Sequence, residues 1–206
     1  MDMSQEELAR LRAIAEEGRH APLLGGWHLI LWGVAMTAAL LINWAVIERH
    51  LPWPAYSLAF SWFGIAILAW IASFLIGHRE GKRQGAFTIG NRIERTVWIL
   101  AGGFLSTLAV AIFLRALLVG GPEPWTLFQM MPPVAFGAYA VAIGASATAG
   151  HDRGTLPYAW LALAFCAATT LLAGTTEQYL AAAAGLALVS TACGLRQLRA
   201  EARAAG

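Results

Sequence analysis

GHREGKRQGAFTIGNRIER, residues 77–95, is a polar, glycine-broken connection between two long apolar runs. It carries Arg79, Lys82, Arg83, Arg92 and Arg95, and no other connection in the chain is as basic. A bilayer retains Lys and Arg that flank a span on its cytoplasmic side, so this loop reads as a cytoplasmic anchor. The remaining spans follow from it by alternation. The stretch predicts a polytopic membrane protein and its orientation; an activity has to be sought elsewhere.

Composition agrees with that reading. Of 206 residues, 58% are hydrophobic and 13% are charged, against about 25% charged in soluble domains. Too little polar surface remains to cover a water-facing shell. Nine Trp suit the headgroup level of a bilayer, where indoles collect. The net charge of +2 is small and the basic residues are segregated by loop. That pattern reports topology and excludes nucleic acid as the expected partner. Cys166 and Cys193 belong to no motif and read as small buried apolar side chains. The N-terminus is acidic and helical in character, so no cleavable signal peptide is expected and the first span would direct insertion.

Taken in order, residues 1–20 form an amphipathic cytoplasmic segment. Within it a helix over 4–17 opens on a Ser4–Glu7 capping box and presents Leu8, Leu11 and Ile14 on one face. Spans are expected at about 23–47, 55–76, 96–119, 127–149, 156–174 and 179–195, each near the ~17–25 residues a bilayer requires. A cytoplasmic tail, 196–206, follows. Asn91 and Glu94 read as a cap opening the third span. The Pro132–Pro133 pair removes backbone donors and predicts an irregular start to the fourth. Of the 14 Lys and Arg, only Arg49 and Arg115 fall on the outer side, which places both termini inside.

A repeat is visible as well. Pro52-Trp53 and Pro124-Trp125 open the second and fourth spans, and Gly77-His78-Arg79 and Gly150-His151-Asp152-Arg153 close them. The Trp-to-Gly separations are 24 and 25 residues. The expected fold class is therefore an all-α membrane protein of six transmembrane helices arranged as three helical hairpins. A multi-pass protein of a bacterial inner membrane is the expected setting.

Motifs for catalysis are missing. There is no HExxH, no GxSxG, and GHREGKR lacks the spacing and the Ser or Thr of a phosphate loop. No catalytic residue, metal or cofactor is assigned, and an enzyme is the less favoured class. His28, His78 and His151 lie near the cytoplasmic ends of spans and are the candidates for haem or metal ligation. Their plainer reading is as interfacial residues that complete helix ends. No Asp, Glu or Lys falls in the middle of an expected span, which counts against a proton- or sodium-coupled carrier.

Gln129, beside the Pro132–Pro133 break, is the leading binding candidate, with Asn43 and Tyr139 as further substrate-binding positions. Irregular backbone at membrane depth is tolerated where it faces protein or a cavity. Gly137, Ala140, Gly144 and Ala147 form a small face for close helix packing. Two functions follow. The favoured one is a conduit or binding subunit for a neutral or amphipathic small molecule. The other is a membrane regulatory or assembly subunit that docks a cytoplasmic protein partner or forms a homo-oligomer.

Overall fold

Most helices of this chain are apolar around their whole circumference, so neither face is marked as the buried one. The computed structural model describes residues 22–54, 56–83, 85–119 and 126–205. Among these, the order is α1 (Gly26–Ile47), α2 (Ser57–Glu80), α3 (Ile89–Val119), a 3-10 turn (Leu127–Met130), α4 (Met131–Ala149) and α5 (Leu156–Leu171). A long last rod follows, composed of α6 (Glu177–Leu186), a π turn (Ala187–Thr191) and α7 (Ala192–Ala205). No strand occurs among the described residues. The expected helix over 4–17, the Ser4–Glu7 cap and the Pro124-Trp125 turn lie outside them.

Five stretches are long and apolar enough to cross a membrane: Gly26–Ile47, Ser57–Glu80, Ile89–Val119, Leu127–Ala149 and Glu177–Ala204. Leu156–Leu171 is apolar but shorter, about 24 Å at 1.5 Å per residue. Helix α3 has 31 residues, about 46 Å, and outreaches a hydrocarbon core of ~30 Å. It begins at Ile89, a full two turns before the Thr96 start read from hydropathy. The charged residues Arg92, Glu94 and Arg95 are thus helical and not part of a loop. Pro132 and Pro133 occupy the first turn of α4, where a missing N–H breaks no bond. The irregular start takes the form of the 3-10 turn before them.

The helices pack as a ring. Helix α2 packs on α1, α1 on the α6–π–α7 rod, α6 on α5, α5 on α4, and α4 on α3. The link that would close the ring, α3 on α2, is the one neighbouring pair without extended packing. Close approach elsewhere depends on small residues. Gly26 and Gly194 cross backbone to backbone, and Gly33 lies against Thr191. On α4, Gly137 and Gly144 face Cys166 and Ala159 of α5, which assigns the small face to packing within the bundle. The core is centred on Leu40, Phe136, Tyr139, Ile143, Ala162, Ala182, Leu186 and Val189.

Candidate functional site

The unclosed side of the ring is the candidate site. Helix α2 is held to α1 by the edge-on pair Trp32–Trp70, centroids 5.7 Å apart. Helix α3 is held to α4 by Trp98–Tyr139 at 5.0 Å. Between α2 and α3 themselves, Phe63 meets Phe113 at 5.6 Å. Phe63 lies in the early turns of α2 and Phe113 in the late turns of α3, so the contact sits at the end of the bundle far from the basic loop. Toward the basic end the helices part, because residues 22–28 wedge between them. Asn91 of α3 holds Leu24, and Ser73 and Glu80 of α2 hold His28.

Helical periodicity places the facing side chains. The α2 stripe that continues Phe63 carries Ile67, Phe74 and His78; the α3 stripe that continues Phe113 carries Ser106, Gly102, Ile99 and Arg95. Ile67, Phe74 and Ile99 remain 57%, 76% and 61% exposed. A Cβ added at Gly102 meets nothing within 4 Å. Behind the gap, Met36, Trp62, Trp98 and Leu105 are partly buried against the core. The result is a lateral groove, apolar for most of its length, that carries His78 and Arg95 at its basic end.

A polar layer closes the base of the bundle. The Leu24 N–H donates to Asn91 Oδ1 at 2.9 Å and the Gly25 N–H to Glu94 Oε2 at 3.1 Å. These are free donors at the start of α1, so Asn91 and Glu94 cap that helix and not their own. A carboxylate suits the positive end of a helix. Asn91 Nδ2 also donates to the carbonyls of Pro22 and Gly85. Gln197 Nε2 of α7 donates to Glu94 Oε1 at 3.1 Å, which ties three helices to one buried carboxylate. Arg83 pairs with Glu201, joining the basic loop to the last rod.

Asp152, in the α4–α5 turn, accepts from Arg196 Nη1 at 2.6 Å and Nη2 at 2.7 Å, and from the Thr155 hydroxyl at 2.7 Å. Desolvation opposes its ionisation. The hydrogen bonds from Arg196 and Thr155 and the guanidinium charge outweigh that and hold its carboxyl below the usual range. Gly154 lies flat on the same guanidinium, leaving no room for a side chain.

The residues singled out from sequence are spread over the bundle. Asn43 is buried and hydrogen-bonds Tyr179. The Gln129 carbonyl accepts from Gln178 Nε2 at 2.7 Å. Tyr139 is buried between Trp98 and Ser190. All three therefore meet the last rod through different partners. His28 has both ring nitrogens engaged, Nδ1 with Ser73 Oγ at 2.8 Å and Nε2 with Glu80 Oε2 at 3.2 Å. The Glu80 contact places a hydrogen on Nε2, and the Ser73 hydroxyl serves Nδ1. His78 is exposed on the groove stripe, and His151 is exposed after α4 in a left-handed conformation, φ 51°. Among the described residues no group of three or more His, Cys, Asp or Glu side chains could hold a metal ion.

Sequence reasoning gave no site role to Gln178, Ser190 or Gln197, each buried. Ser190 donates to the Leu29 carbonyl at 2.7 Å from within the π turn. Such turns interrupt a helix to aim a side chain. For Ser190 the available signal was a hydroxyl within the last expected span; Gln178 and Gln197 lie just beyond its two ends.

Five long apolar helices, and large apolar side chains exposed along α2 and α3, define a multi-pass helical membrane protein. No protein-family model, no curated protein and no solved structure matches this chain.

Proposed function

We propose that this protein is a membrane-embedded binding subunit or conduit for an amphipathic small molecule, which enters sideways from the bilayer between α2 and α3. One observation carries the reading: every neighbouring pair in the helix ring packs except this one. A ring of helices stabilised only by packing closes on itself, because unmatched apolar faces forfeit dispersion contacts. Leaving the α2–α3 face thin, with Gly102 opening onto space, keeps a route to the interior. Tyr139 with Ser190, Asn43 with Tyr179, and Gln129 near Gln178 supply polar groups along the last rod for a solute to meet. In this reading α5 completes six spans, the basic loop and both termini lie in the cytoplasm, and the membrane is a bacterial inner membrane. The basic loop and tail remain available to a cytoplasmic partner, and the assembly-subunit reading rests on them.

Native mass spectrometry of protein extracted gently from its own membrane tests the proposal. We expect a bound small molecule of defined mass on the native protein and its loss from Gly102→Trp, where a Cβ has open space and the indole would occupy the groove. The same adduct at the same occupancy on both proteins would sink the reading. A second protein at fixed ratio, with no small molecule, would transfer it to the assembly subunit.

A further inference from the structure

The groove has unlike ends. At the Phe63–Phe113 end it is shut by aromatic rings. At the other end His78 and Lys82 come from the α2 side and Arg92 and Arg95 from α3, all exposed. None of these four makes an ion pair among the described residues. The nearby carboxylates are already engaged: Glu80 with His28, Glu94 with the Gly25 N–H and Gln197, and Glu201 with Arg83. The mouth is thus a site of uncompensated positive charge on top of an apolar trough. From Phe63 to His78 the trough runs about 22 Å at 1.5 Å per residue. One leaflet of a ~30 Å hydrocarbon core is about 15 Å deep. An acyl chain lying beside α2 and α3 is accommodated with its headgroup at the cations.

Resting on the lateral-entry reading above, we infer that the ligand of this groove is an anionic phospholipid of the surrounding leaflet, with its phosphate held by Arg95 and His78 and one acyl chain laid between Phe74 and Gly102. Charge complementarity selects the occupant. A zwitterionic lipid brings its own cation to a mouth where, among the described residues, four basic groups stand without an ion-pair partner. Arg95 is the specifying residue because it lies on the same stripe as Ile99, Gly102 and Phe113. Its guanidinium can grip a phosphate with two parallel N–H donors. Arg79 lies on α2 about 100° away from His78 and serves as the control cation.

The test is lipid retention by the full chain in detergent, read by native mass spectrometry after adding phosphatidylglycerol or phosphatidylcholine of identical acyl chains. The native protein is expected to retain phosphatidylglycerol in preference. Arg95→Gln is expected to reduce that preference about fivefold, the worth of one basic residue near an anionic surface, while Arg79→Gln leaves it unchanged. Gly102→Trp is expected to abolish retention of either lipid. Equal retention of the two lipids by the native protein, both lost in Gly102→Trp, overturns the headgroup assignment and leaves the groove standing. Retention that Gly102→Trp does not alter overturns the groove itself. A homodimer in which position 102 is shielded and no lipid is held assigns the face to a second copy and overturns the inference.

Discussion

Glycine does opposite things in two parts of this bundle. Where α1 crosses the last rod, Gly26, Gly33 and Gly194 are packed so closely that a Cβ at 194 would meet the Gly26 carbonyl at 2.5 Å. A Cβ at Gly185 would strike the rings of Phe136 and Phe165. On α2 and α3, Gly64, Gly102 and Gly103 face open space, with nothing within 4 Å. Half of the apolar window of Glu177–Ala204 is buried, against 6% for each of α2 and α3. The first set of glycines lets helices touch; the second keeps a helix wall thin. A small residue in a span therefore says that something approaches or that something is left out, and only the neighbours decide which.

The largest effect should come from filling the tight crossing. Gly194→Leu forces α7 away from α1, and overpacking of this kind costs about 3 kcal/mol where the backbone must shift. We expect no monodisperse protein, or a marked fall in thermal stability in detergent. Gly103→Leu on the thin wall is the matched control. A Cβ there meets nothing within 4 Å, and leucine favours a helix over glycine by roughly 0.5–1 kcal/mol. Unchanged or raised stability is expected there. Equal losses at 194 and 103 would erase the distinction between the two regions.

The next effect sharpens the comparison at its boundary, where Glu94 joins α3 to the tight half. Glu94→Ala strands the Gly25 N–H and the Gln197 amide in a buried site, at a cost of about 1–3 kcal/mol. Glu94→Gln should cost clearly less. Its oxygen can keep the Gly25 bond, and its new amide can donate to Gln197 Oε1, which has no partner now, once the Gln197 amide turns over. Thermal unfolding of the two variants and of Gln197→Ala should rank Glu94→Ala as the most damaging. Glu94→Gln falling as far as Glu94→Ala would mean that charge at the α1 terminus, and not hydrogen bonding, holds the layer together.

The sequence made the helices legible and left their neighbours obscure. Hydropathy located each apolar run, and the basic loop falls between α2 and α3. The start of α3 was read late, at Thr96, because Arg92, Glu94 and Arg95 look like loop residues to a hydropathy scale. In the fold all three are helical, and Glu94 is buried inside the polar layer. Asn91 and Glu94 have cap chemistry, but a single chain does not say whose N–H groups a side chain will reach. Here they are those of α1, 67 and 69 residues away. The groove was illegible for a related reason. Gly102 and Gly194 are alike in sequence context, both beside apolar residues in a long helix, and the thin packing of α3 against α2 is a property of the ring. Gln129 stands out beside the Pro132–Pro133 break, and Asn43 and Tyr139 are polar within apolar runs; Asn43 and Tyr139 meet the last rod through their side chains, Gln129 through its backbone carbonyl. His78 alone of the named candidates falls on the groove.

The smallest effect concerns the turn that fastens the α4–α5 pair to α7. Asp152 is held below the usual carboxylate range in the fold, so its ionised form stabilises the folded state. A depressed group contributes stability that is fully present above its unfolded pKa and is lost as pH falls through the folded value. Thermal stability should therefore decline on acidification below about pH 4, where an unfolded Asp begins to protonate, and continue to fall through the lowered range. Asp152→Asn should remove that segment of the profile and cost about 1 kcal/mol at neutral pH, because the pair is half open to solvent and screened. Since Asp152 and Arg196 lie wholly in the packed half, the change should leave lipid retention at the groove untouched. A variant that lost both together would show that the loose wall is set by the tight one, and that the two regions are a single cooperative unit.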